Sequence, residues 1–358
     1  MRRIHVIAAV IRDVQGRILI AKRPDHVHQG GLWEFPGGKL ETDEPRFDGL
    51  VRELREELGI SVTDARPLLD IRHDYPDKSV RLDVWLVTGF DGRAHGAEGQ
   101  PVRWVAASEL DEYEFPAANA AIVRAAQLPE RYLITPDVED EAELFDGLQR
   151  AREAGVRLVQ LRQTGMTVDA YGALVERVLA EFGDDFQWML KGDVQPAWSG
   201  VGWHLTSRQL RGMWEERVGS PGGRATHANR GEVAAPTVVL CPAGAPTPGR
   251  SVVVPCPVGA PTSGRLVAAG RRLLAASCHN AEELAMAADL GLDFVTLSPV
   301  NPTSSHPGAL PLGWERAGEL IDSVNLPVYL LGGLGAEELP QAFEVGAQGI
   351  AGIRALWG

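Results

Sequence analysis

The chain contains little cysteine, carries a deficit of positive charge and lacks long hydrophobic runs. Its three cysteines, Cys241, Cys256 and Cys278, lack metal-ligand spacing and are too few for a disulfide framework, so a reducing, cytoplasmic location is expected. The formal net charge of −13 argues against direct binding of nucleic acid or of an anionic membrane surface. No apolar run is long enough to span a bilayer, so no membrane segment is expected.

Length and composition still allow nucleotide substrates and more than one domain. A bound metal ion can carry the positive charge that an acidic chain lacks. The length of 358 residues predicts two domains. Two arginines near the start are followed by an apolar run without a small-residue cleavage site, which predicts a first strand rather than a signal peptide.

The stretch that dominates the chain is residues 37–60, GGKLETDEPRFDGLVRELREELGI. Two adjacent glycines at its start let the backbone turn tightly and approach a ligand. Thr42 or Asp43 is expected to cap a helix, and Pro45 suits the first turn of that helix. Gly59 is expected to end the helix.

Charged and apolar residues separate along this predicted helix. One apolar face is expected from Phe47, Leu50, Val51, Leu54 and Leu58. Glu53, Glu56 and Glu57 fall on an adjacent stripe, where they repel each other and oppose the helix macrodipole. A hard divalent cation, Mg²⁺ above all, would supply the missing counter-charge. For the ELREEL fragment alone, a solvated amphipathic helix is the alternative.

A longer pattern favours the metal site. Gly38, Glu44 and the run of residues 52–60 match G-x5-E-x7-R-E-U-x-E-E-x-G-U, where U is aliphatic. Nine fixed positions at fixed spacing are rarely met by chance. The chain is therefore similar to the Nudix hydrolases, whose box holds a metal ion and a diphosphate.

Residues 1–128 are expected to form one domain, an α/β/α sandwich around the box helix. Predicted strands lie at residues 4–11, 17–23, 68–73, 80–90 and 102–105, and a last helix lies at residues 117–128. Three further motifs are EFPGGK at residues 34–39, GAEGQPVRW at residues 96–104 and FPAAN at residues 115–119. With these motifs, the domain resembles the MutT-type 8-oxo-dGTP diphosphatases over essentially their full length.

This resemblance implies the catalytic and metal-binding groups. The implied ligands of Mg²⁺, or of Mn²⁺ in its place, are Gly38, Glu53, Glu56, Glu57 and Glu98. The same four glutamates are the implied catalytic residues, with Glu53 as the base. Neutralisation of the diphosphate and positioning of a water would give a nucleoside monophosphate and pyrophosphate. The alternative for Glu98 is an ordinary loop carboxylate.

The resemblance also implies a pocket for a nucleoside triphosphate. The implied substrate-binding residues are Arg23, Phe35, Gly37, Gly38, Lys39 and Asn119. Asn119 would read the oxidised purine, because an amide offers both a donor and an acceptor; its alternative role is to cap the last helix. Arg23 and Lys39 could instead be solvated charges, and Phe35 could serve both the core and base stacking. Arg52 is expected to pair with a neighbouring carboxylate.

The second half has a different periodicity. Short apolar strands are predicted at residues 132–135, 156–161, 186–190, 201–205, 273–277, 294–297, 328–331 and 349–353. Predicted helices at residues 142–154, 168–182, 281–290, 314–324 and 336–345 separate most of them. Eight strands alternating with helices predict a (β/α)8 TIM barrel at residues 131–358.

Motifs in this half resemble the thiamine phosphate synthase and thiazole tautomerase (TenI-like) family. They are YLIT at residues 132–135, GVRLVQLR at 155–162, GWHLTS at 202–207, SCH at 277–279, SPVNPTSSHPG at 298–308 and LGGL at 331–334. The resemblance implies a thiamine-phosphate-like ligand in the barrel. The implied site residues are Arg162, His279, Thr303 and Gly333.

Several departures from the family pattern argue against a working synthase. Thr164 stands where the synthases have a lysine, Gly192-Asp193 replaces an Asn-Asp pair, and His306 replaces another lysine. The acid of the GQxD motif is missing. A phosphate-binding or partly degenerate barrel is therefore expected, with His279 as the acid/base of a tautomerase in the alternative.

One segment fits neither domain. Residues 217–265 are rich in Gly, Pro, Ala and Thr and contain the near-repeats CPAGAPTPGR and CPVGAPTSGR. Such a composition predicts a disordered insertion between barrel strands four and five.

Three functional hypotheses follow. The first is hydrolysis of 8-oxo-dGTP, which would protect DNA replication and repair from an oxidised nucleotide. The second keeps the Nudix chemistry but acts on a thiamine-pathway diphosphate. In the third, the barrel is a ligand sensor that regulates or scaffolds the hydrolase.

Overall fold

The computed structural model describes residues 3–26, 29–75, 78–193, 195–219, 272–303, 308 and 310–357. The predicted insertion at residues 217–265 lies outside these ranges, apart from its first three residues. Within the ranges described, every helix is too short or too polar to cross a membrane.

The N-terminal domain contains a four-stranded and a three-stranded sheet. Its strands are β1 Ile4–Ile11, β2 Ile18–Lys22, β3 Trp33–Glu34, β4 Gly37–Lys39, β5 Ser61–Asp74, β6 Ser79–Asp91 and β7 Val102–Val105. The larger sheet has the order β4-β1-β6-β5, in which β1 and β6 are parallel and the other pairs antiparallel. The smaller sheet has the order β3-β2-β7 and is antiparallel.

Two helices cover opposite faces of the larger sheet. Successive side chains of a strand point to opposite faces. Ile7 and Ile11 of β1 therefore pack towards helix α1, Arg46–Leu58, and Val10 packs towards helix α2, Ala120–Gln127. This arrangement confirms the predicted α/β/α sandwich.

Helix α1 ends as the sequence predicts but begins differently. Gly59 ends the helix with φ of 67°, and its N–H donates to the carbonyl oxygen of Arg55. The predicted cap by Thr42 or Asp43 is wrong, because Pro45 occupies the N-cap position and no side chain caps the helix.

One residue predicted on the buried face of α1 is exposed. Phe47 is 42 % exposed, whereas Leu50, Leu54 and Leu58 are fully buried. Phe47 lies in the first turn of the helix, where its ring centre is 5.8 Å from that of Trp85 on β6. The helical period therefore gave the correct buried face but not the point at which burial begins.

The C-terminal part is a closed barrel of eight parallel strands. They are β8 Arg131–Ile134, β9 Leu158–Leu161, β10 Gln187–Leu190, β11 Gly202–Leu205, β12 Leu274–Cys278, β13 Phe294–Leu297, β14 Val328–Leu331 and β15 Gly349–Gly352. The helices are α3 Glu141–Glu153, α4 Val168–Phe182, α5 Ser207–Gly219, α6 Ala281–Leu290, α7 Gly313–Ile321 and α8 Leu339–Glu344. The predicted (β/α)8 barrel is confirmed.

The barrel strands are buried on both faces. Tyr132, Phe294 and Tyr329 pack together inside the barrel, with ring centroids 5.3 to 5.6 Å apart. Side chains on the other face, such as Leu133 and Val295, pack in the cluster that contains the helices. Burial on both faces explains why these strands are continuous apolar runs in the sequence.

One helix of the barrel differs from the prediction. Helix α5 was not predicted, and Leu210 is its one buried residue among those described, so its apolar periodicity is weak. Between β10 and β11, where no helix was predicted, the described residues contain none.

The two domains contact each other where the barrel strands begin. Gln348, just before β15, donates from Nε2 to the carbonyl oxygens of Ala125 (3.1 Å) and Leu128 (3.0 Å) at the end of α2. Arg124 of α2 lies 3.4 Å from the carboxylate of Asp293, just before β13. The N-terminal domain therefore packs on the N-terminal face of the barrel.

The barrel also covers the outer strand of the larger sheet. Asn325 donates to the carbonyl oxygen of Arg72 at 2.7 Å and accepts from its N–H at 3.0 Å. Arg72 lies on β5, which is an edge strand. Pairing of an edge strand by a side-chain amide satisfies main-chain groups that would otherwise be available to another chain.

Candidate active site

The start of the box brings main chain close to helix α1. Gly37 has φ of 147°, and a Cβ at this position would lie 2.1 Å from the carbonyl oxygen of Ile7. A Cβ on Gly38 would lie 2.1 Å from a carboxylate oxygen of Glu53. Gly37 therefore has to be glycine, because its φ is positive and the clash is with main chain. At Gly38 the clash is with the end of the Glu53 side chain, which places the predicted site residues Gly38 and Glu53 next to each other.

Glu57 lies at the centre of this arrangement. The Gly37 N–H donates to its Oε2 at 2.7 Å. The pKa of Glu57 is raised to about 7, mainly by burial and also by the nearby charges of Glu34 and Glu98, against the lowering effect of the hydrogen bonds from Gly37 and Gln100. A carboxyl group whose pKa is raised to near 7 in this way is typical of a functional site.

The GAEGQ loop places Glu98 beside Glu57. The Ala97 N–H donates to the carbonyl oxygen of Glu57 at 2.9 Å, and Gln100 Nε2 donates to the same oxygen at 3.0 Å. Gln100 also accepts from the Glu98 N–H at 3.0 Å. Gln100 belongs to the GAEGQ motif, but no role was predicted for it from the sequence. The structure shows that its side chain fixes this loop to the end of α1.

Arg52 lies between the other box carboxylates. It makes two hydrogen bonds to Glu44, of 2.8 and 2.9 Å, so the expected pairing with a carboxylate is present. It also contacts Glu53 at 2.9 Å and Glu56 at 3.2 Å. Hydrogen bonds from Arg52 lower the pKa of Glu44 to about 2. Burial raises the pKa of Glu53.

The predicted metal ligands are not assembled into one cluster. Over the described ranges, no group of three or more His, Cys, Asp or Glu side chains is close enough to hold a metal ion. The guanidinium of Arg52 takes the counter-charge position between Glu53 and Glu56. The donor chemistry still fits a hard divalent cation, because Glu53 and Glu57 are carboxylates whose charged forms burial and neighbouring carboxylates disfavour.

The predicted base pocket combines a stack of rings and a buried amide. Phe35 is 4 % exposed and stacks on Phe115, with centroids 5.3 Å apart and an interplanar angle of 17°. Asn119 is 8 % exposed and occupies the N-cap position of α2, but its side chain makes no capping hydrogen bond. The alternative role of Asn119 as a helix cap is therefore not supported.

The two predicted basic residues differ in their surroundings. Arg23 forms an ion pair with Glu34, and burial raises the pKa of Glu34. Glu34 is the first residue of the EFPGGK motif, and its place in that motif was the available sequence signal for its pairing with Arg23. The side chain of Lys39 is exposed, and its carbonyl oxygen accepts from Arg52 at 3.2 Å.

At the barrel mouth, Arg162 follows β9. Its Nη1 lies 2.8 Å from Asp137, and its main chain exchanges two hydrogen bonds with the hydroxyl of Thr135. Thr164, which replaces the synthase lysine, donates from its hydroxyl to Asp137 at 3.0 Å. Arg162 and Thr164 therefore both bind Asp137.

The remaining predicted barrel residues follow β12, β13 and β14. His279 Nδ1 lies 2.9 Å from the carbonyl oxygen of Ser298 and 3.3 Å from its hydroxyl. Asn301 donates to the carbonyl oxygen of Gly333 at 3.3 Å. Thr303 follows in the same loop and is half-buried, whereas His306 lies outside the described residues.

Polar side chains that were not among the predicted site residues lie inside the barrel. Gln160 Nε2 and Thr296 Oγ1 are buried without a hydrogen-bond partner among the described residues. His204 lies 2.9 Å from the Tyr132 hydroxyl and 3.0 Å from the Ser277 hydroxyl, and burial lowers its pKa to about 3. Each of these residues is a polar residue within a predicted apolar strand, and this was the sequence signal that could have identified it.

Two family models match the chain. One described as "NUDIX domain" matches residues 7–125, and one described as "Thiamine monophosphate synthase" matches residues 260–356. The first match covers the whole of the predicted box and the three further motifs of the N-terminal domain. The second covers the later strands of the barrel.

Individual relatives agree with both matches. An 8-oxo-dGTP diphosphatase of Proteus vulgaris is 47% identical over 87 residues, which are 24% of this chain and 78% of that protein. A CTP pyrophosphohydrolase of Escherichia coli (strain K12) is 38% identical over 125 residues, 35% of this chain and 92% of that protein. For the barrel, "Putative thiamine-phosphate synthase 2" of Aquifex aeolicus (strain VF5) is 44% identical over 81 residues, 23% of this chain and 44% of that protein.

The two halves are therefore matched to different extents. The chain spans most of the length of its diphosphatase and pyrophosphohydrolase relatives, but less than half of the synthase relative. The chain belongs to the Nudix hydrolases, with a Nudix pyrophosphohydrolase domain followed by a closed barrel similar to thiamine monophosphate synthases.

Proposed function

We propose that the Nudix domain hydrolyses 8-oxo-dGTP to 8-oxo-dGMP and pyrophosphate with Mg²⁺, and so keeps an oxidised nucleotide out of DNA synthesis in the cytoplasm. The observation that carries this proposal is the side chain of Asn119. It is buried, stands at a capping position and does not cap. An amide in such a place has a donor and an acceptor available for a purine edge.

The stack of Phe35 and Phe115 supports the same reading of the pocket. Phe115 precedes Asn119 by one helical turn in the FPAAN motif, and Phe35 lies two residues before the box glycines. Aromatic rings supply apolar area and a face for stacking. A purine between this stack and the box would have its phosphates near Gly37 and Gly38.

The residues of the box support a hydrolytic mechanism. Mg²⁺, when bound, would neutralise the diphosphate, and Glu53, Glu56, Glu57 and Glu98 are the residues that would hold it. Gly37 and Gly38 allow the main chain to lie close to a phosphate. Glu53 would accept the proton of the attacking water, because burial raises its pKa towards that of a useful base.

A pyrimidine nucleotide is the second candidate substrate. The relative named CTP pyrophosphohydrolase aligns over more of this chain than does the Proteus vulgaris diphosphatase, although at lower identity. A thiamine-pathway diphosphate remains the third candidate, because of the fused barrel.

The deciding experiment is steady-state hydrolysis of 8-oxo-dGTP, dGTP and CTP with Mg²⁺. We expect the highest kcat/KM for 8-oxo-dGTP and no turnover with EDTA. Asn119→Ala should lower kcat/KM for 8-oxo-dGTP by about 10- to 100-fold, the effect of losing one or two hydrogen bonds to the base, and affect dGTP less.

The matched control is Asn280→Ala, which removes an asparagine from the barrel and should leave these kinetics unchanged. A preference for CTP, or equal losses on all three nucleotides in Asn119→Ala, would contradict the proposal. Thiamine diphosphate is tested as a fourth substrate. If it is hydrolysed in preference to 8-oxo-dGTP, the proposal is contradicted and a thiamine-pathway substrate is favoured.

For the barrel, we propose binding of a thiamine-phosphate-like ligand without synthase turnover. Arg162 is held at the mouth by Asp137, and the pKa of Lys191 at the end of β10 is lowered by burial and by Arg162. Thiamine phosphate should raise the Tm of Glu57→Gln protein, and Arg162→Gln should remove that shift. Formation of thiamine phosphate from its precursors would contradict this proposal.

A further inference from the structure

A cavity of about 490 Å³ lies between the Nudix domain and the N-terminal face of the barrel. Its size is within the range of small-molecule sites. The Nudix domain contributes Arg12 and Arg66 to its lining, and the barrel contributes Arg131 and Arg157. Four guanidinium groups from two domains therefore surround one cavity in a chain whose net charge is −13.

The carboxylates in the lining do not balance these charges. Only two acidic residues line the cavity, Asp64 and Glu130. Asp64 accepts a hydrogen bond from the hydroxyl of Thr88. Glu130 lies 3.9 Å from Arg66, a long distance for an ion pair. The lining thus has an excess of positive charge.

The arginines are held in place mainly by main-chain oxygens. Arg12 donates to the carbonyl oxygen of Ala126 at 3.0 Å, and Arg131 donates to that of Ala154 at 3.0 Å. Arg157 donates to the carbonyl oxygen of Val156 at 2.7 Å. Each guanidinium has five N–H donors, so these bonds orient the groups and leave donors for a ligand.

Burial makes this arrangement unfavourable without an anion. Burial lowers the pKa of Arg12, and it lowers the pKa of Arg66 to about 10. The guanidinium of Arg66 lies 3.5 Å from the ring centre of Phe343, on the barrel side of the cavity. A buried charge without a close partner is costly, and a bound anion would relieve that cost.

A buried amide of the barrel lies in the wall of the same cavity. Gln348 is 2 % exposed and lines the cavity. Its Nε2 donates to the carbonyl oxygens of Ala125 and Leu128 of the Nudix domain. These hydrogen bonds fix the orientation of the amide and hold the two sides of the cavity together.

We propose that this cavity binds a small phosphate-bearing anion, held by arginines of both domains. The anion fits the excess of guanidinium groups in the lining. Inorganic phosphate is the simplest ligand of this class.

This site is separate from both sites described above. The Nudix carboxylates lie on α1 and in the GAEGQ loop, and none of them lines the cavity. Arg162, His279 and Gly333 follow the C-terminal ends of barrel strands, whereas the cavity lies where the strands begin. Because both domains contribute arginines, the bound anion would stabilise their association.

The experiment is calorimetric titration of the full chain with inorganic phosphate, in EDTA and at constant ionic strength. We expect one saturable site per chain. Arg66→Gln and Arg157→Gln should each weaken binding at least tenfold. Arg150→Gln, which removes the same charge from an exposed position on α3, should leave binding unchanged.

Further variants separate the cavity from the other sites. Binding should persist in Glu57→Gln and in Arg162→Gln. Absence of a saturable site, an equal loss in Arg150→Gln, or loss of binding in Glu57→Gln or Arg162→Gln would overturn the proposal. If Arg66→Gln does not fold, Arg157→Gln decides, because Arg157 is exposed.

Discussion

Asn119 in the Nudix domain and Asn280 in the barrel both stand at the N-cap of a helix, but only one of them caps it. Asn280 Oδ1 accepts from the Glu283 N–H at 3.0 Å. Asn119 makes no such bond to α2, although it is buried. The backbone explains the difference. Asn280 is extended, with φ of −157°, whereas Asn119 is helical, with φ of −85°, and ends a 3-10 turn, Ala117–Asn119, that runs into α2. The amide of Asn280 therefore stabilises its helix, and that of Asn119 does not.

Other helices show the same difference only in part. In the barrel, Asp140 caps α3 and Thr167 caps α4, whereas α7 and α8 have no side-chain cap. In the Nudix domain, neither α1 nor α2 has a side-chain cap. Side-chain capping therefore stabilises three of the described barrel helices and neither of the two Nudix α-helices.

The largest test of this comparison is Glu57→Gln. The change keeps an oxygen for the Gly37 N–H but removes the charge. We expect kcat/KM for nucleotide hydrolysis to fall by about 10²- to 10⁴-fold, the usual contribution of a group engaged directly in proton transfer or charge stabilisation. Glu112→Gln, at an exposed carboxylate of the same domain, is the control. A loss below tenfold would remove Glu57 from the site.

Arg52→Gln is expected to have a smaller effect on the same reaction. Arg52 contacts Glu44, Glu53 and Glu56 and so orients the carboxylates rather than touching the substrate. Partners of this kind typically change metal affinity or activity by about 10- to 100-fold. The half-saturating Mg²⁺ concentration should rise, which a general loss of folded protein would not cause.

Arg55→Gln provides the matched control for Arg52→Gln. Arg55 is exposed on the same helix, so this variant removes one positive charge without touching the box carboxylates. If both variants change the Mg²⁺ dependence equally, the effect belongs to the net charge of the helix and not to the contacts of Arg52.

The barrel should respond to acid through His204. Burial lowers its folded-state pKa to about 3, below the usual value of about 6.5. Between these pH values the unfolded chain binds more protons, so the free energy of unfolding falls as pH falls from 6.5 towards 3. The expected loss from this group between pH 7 and pH 5 is about 2 kcal/mol.

Denaturant unfolding of wild type and His204→Gln at both pH values would measure this contribution. The variant should lose stability at pH 7, because the contacts with Tyr132 and Ser277 are removed, but should depend less on pH than wild type. The control is His95→Gln, which replaces an exposed histidine of the Nudix domain and should leave the pH dependence of stability unchanged. An unchanged pH dependence in His204→Gln would show that other groups cause it.

The sequence predicted the fold well because both domains have strong periodicity. Strands β7, β13 and β14 and helices α4 and α6 match the predicted bounds. Helix α5 was missed because its one described buried residue is Leu210. The cap of α1 was assigned to Thr42 or Asp43 because their residue types favour caps, but the helix begins only after Pro45.

The site was predictable in its residues but not in its contacts. Motif spacing identified Glu53, Glu57 and Asn119, because a motif preserves residue types. It could not show that Arg52 occupies the space between Glu53 and Glu56, since that depends on side-chain conformation in three dimensions. The cavity between the domains was also not predicted, because its four arginines are far apart in sequence and come from both domains. Arg157 lies within GVRLVQLR, but that motif indicated the family of the barrel and not a site between the domains.

The smallest expected effect tests the opening comparison directly. Asn280→Ala removes a helix cap, and the free energy of unfolding should fall by about 1 kcal/mol. Asn119→Ala removes no cap, so its effect on unfolding should be smaller, while its effect on 8-oxo-dGTP hydrolysis should be large. Denaturant unfolding and hydrolysis kinetics are measured for both variants. We expect Asn280→Ala to lose stability and keep activity, and Asn119→Ala to lose activity and keep most of its stability. Equal losses of stability would mean that Asn119 also supports its helix, and the distinction between the two domains would then fail at the residue on which the proposed function depends.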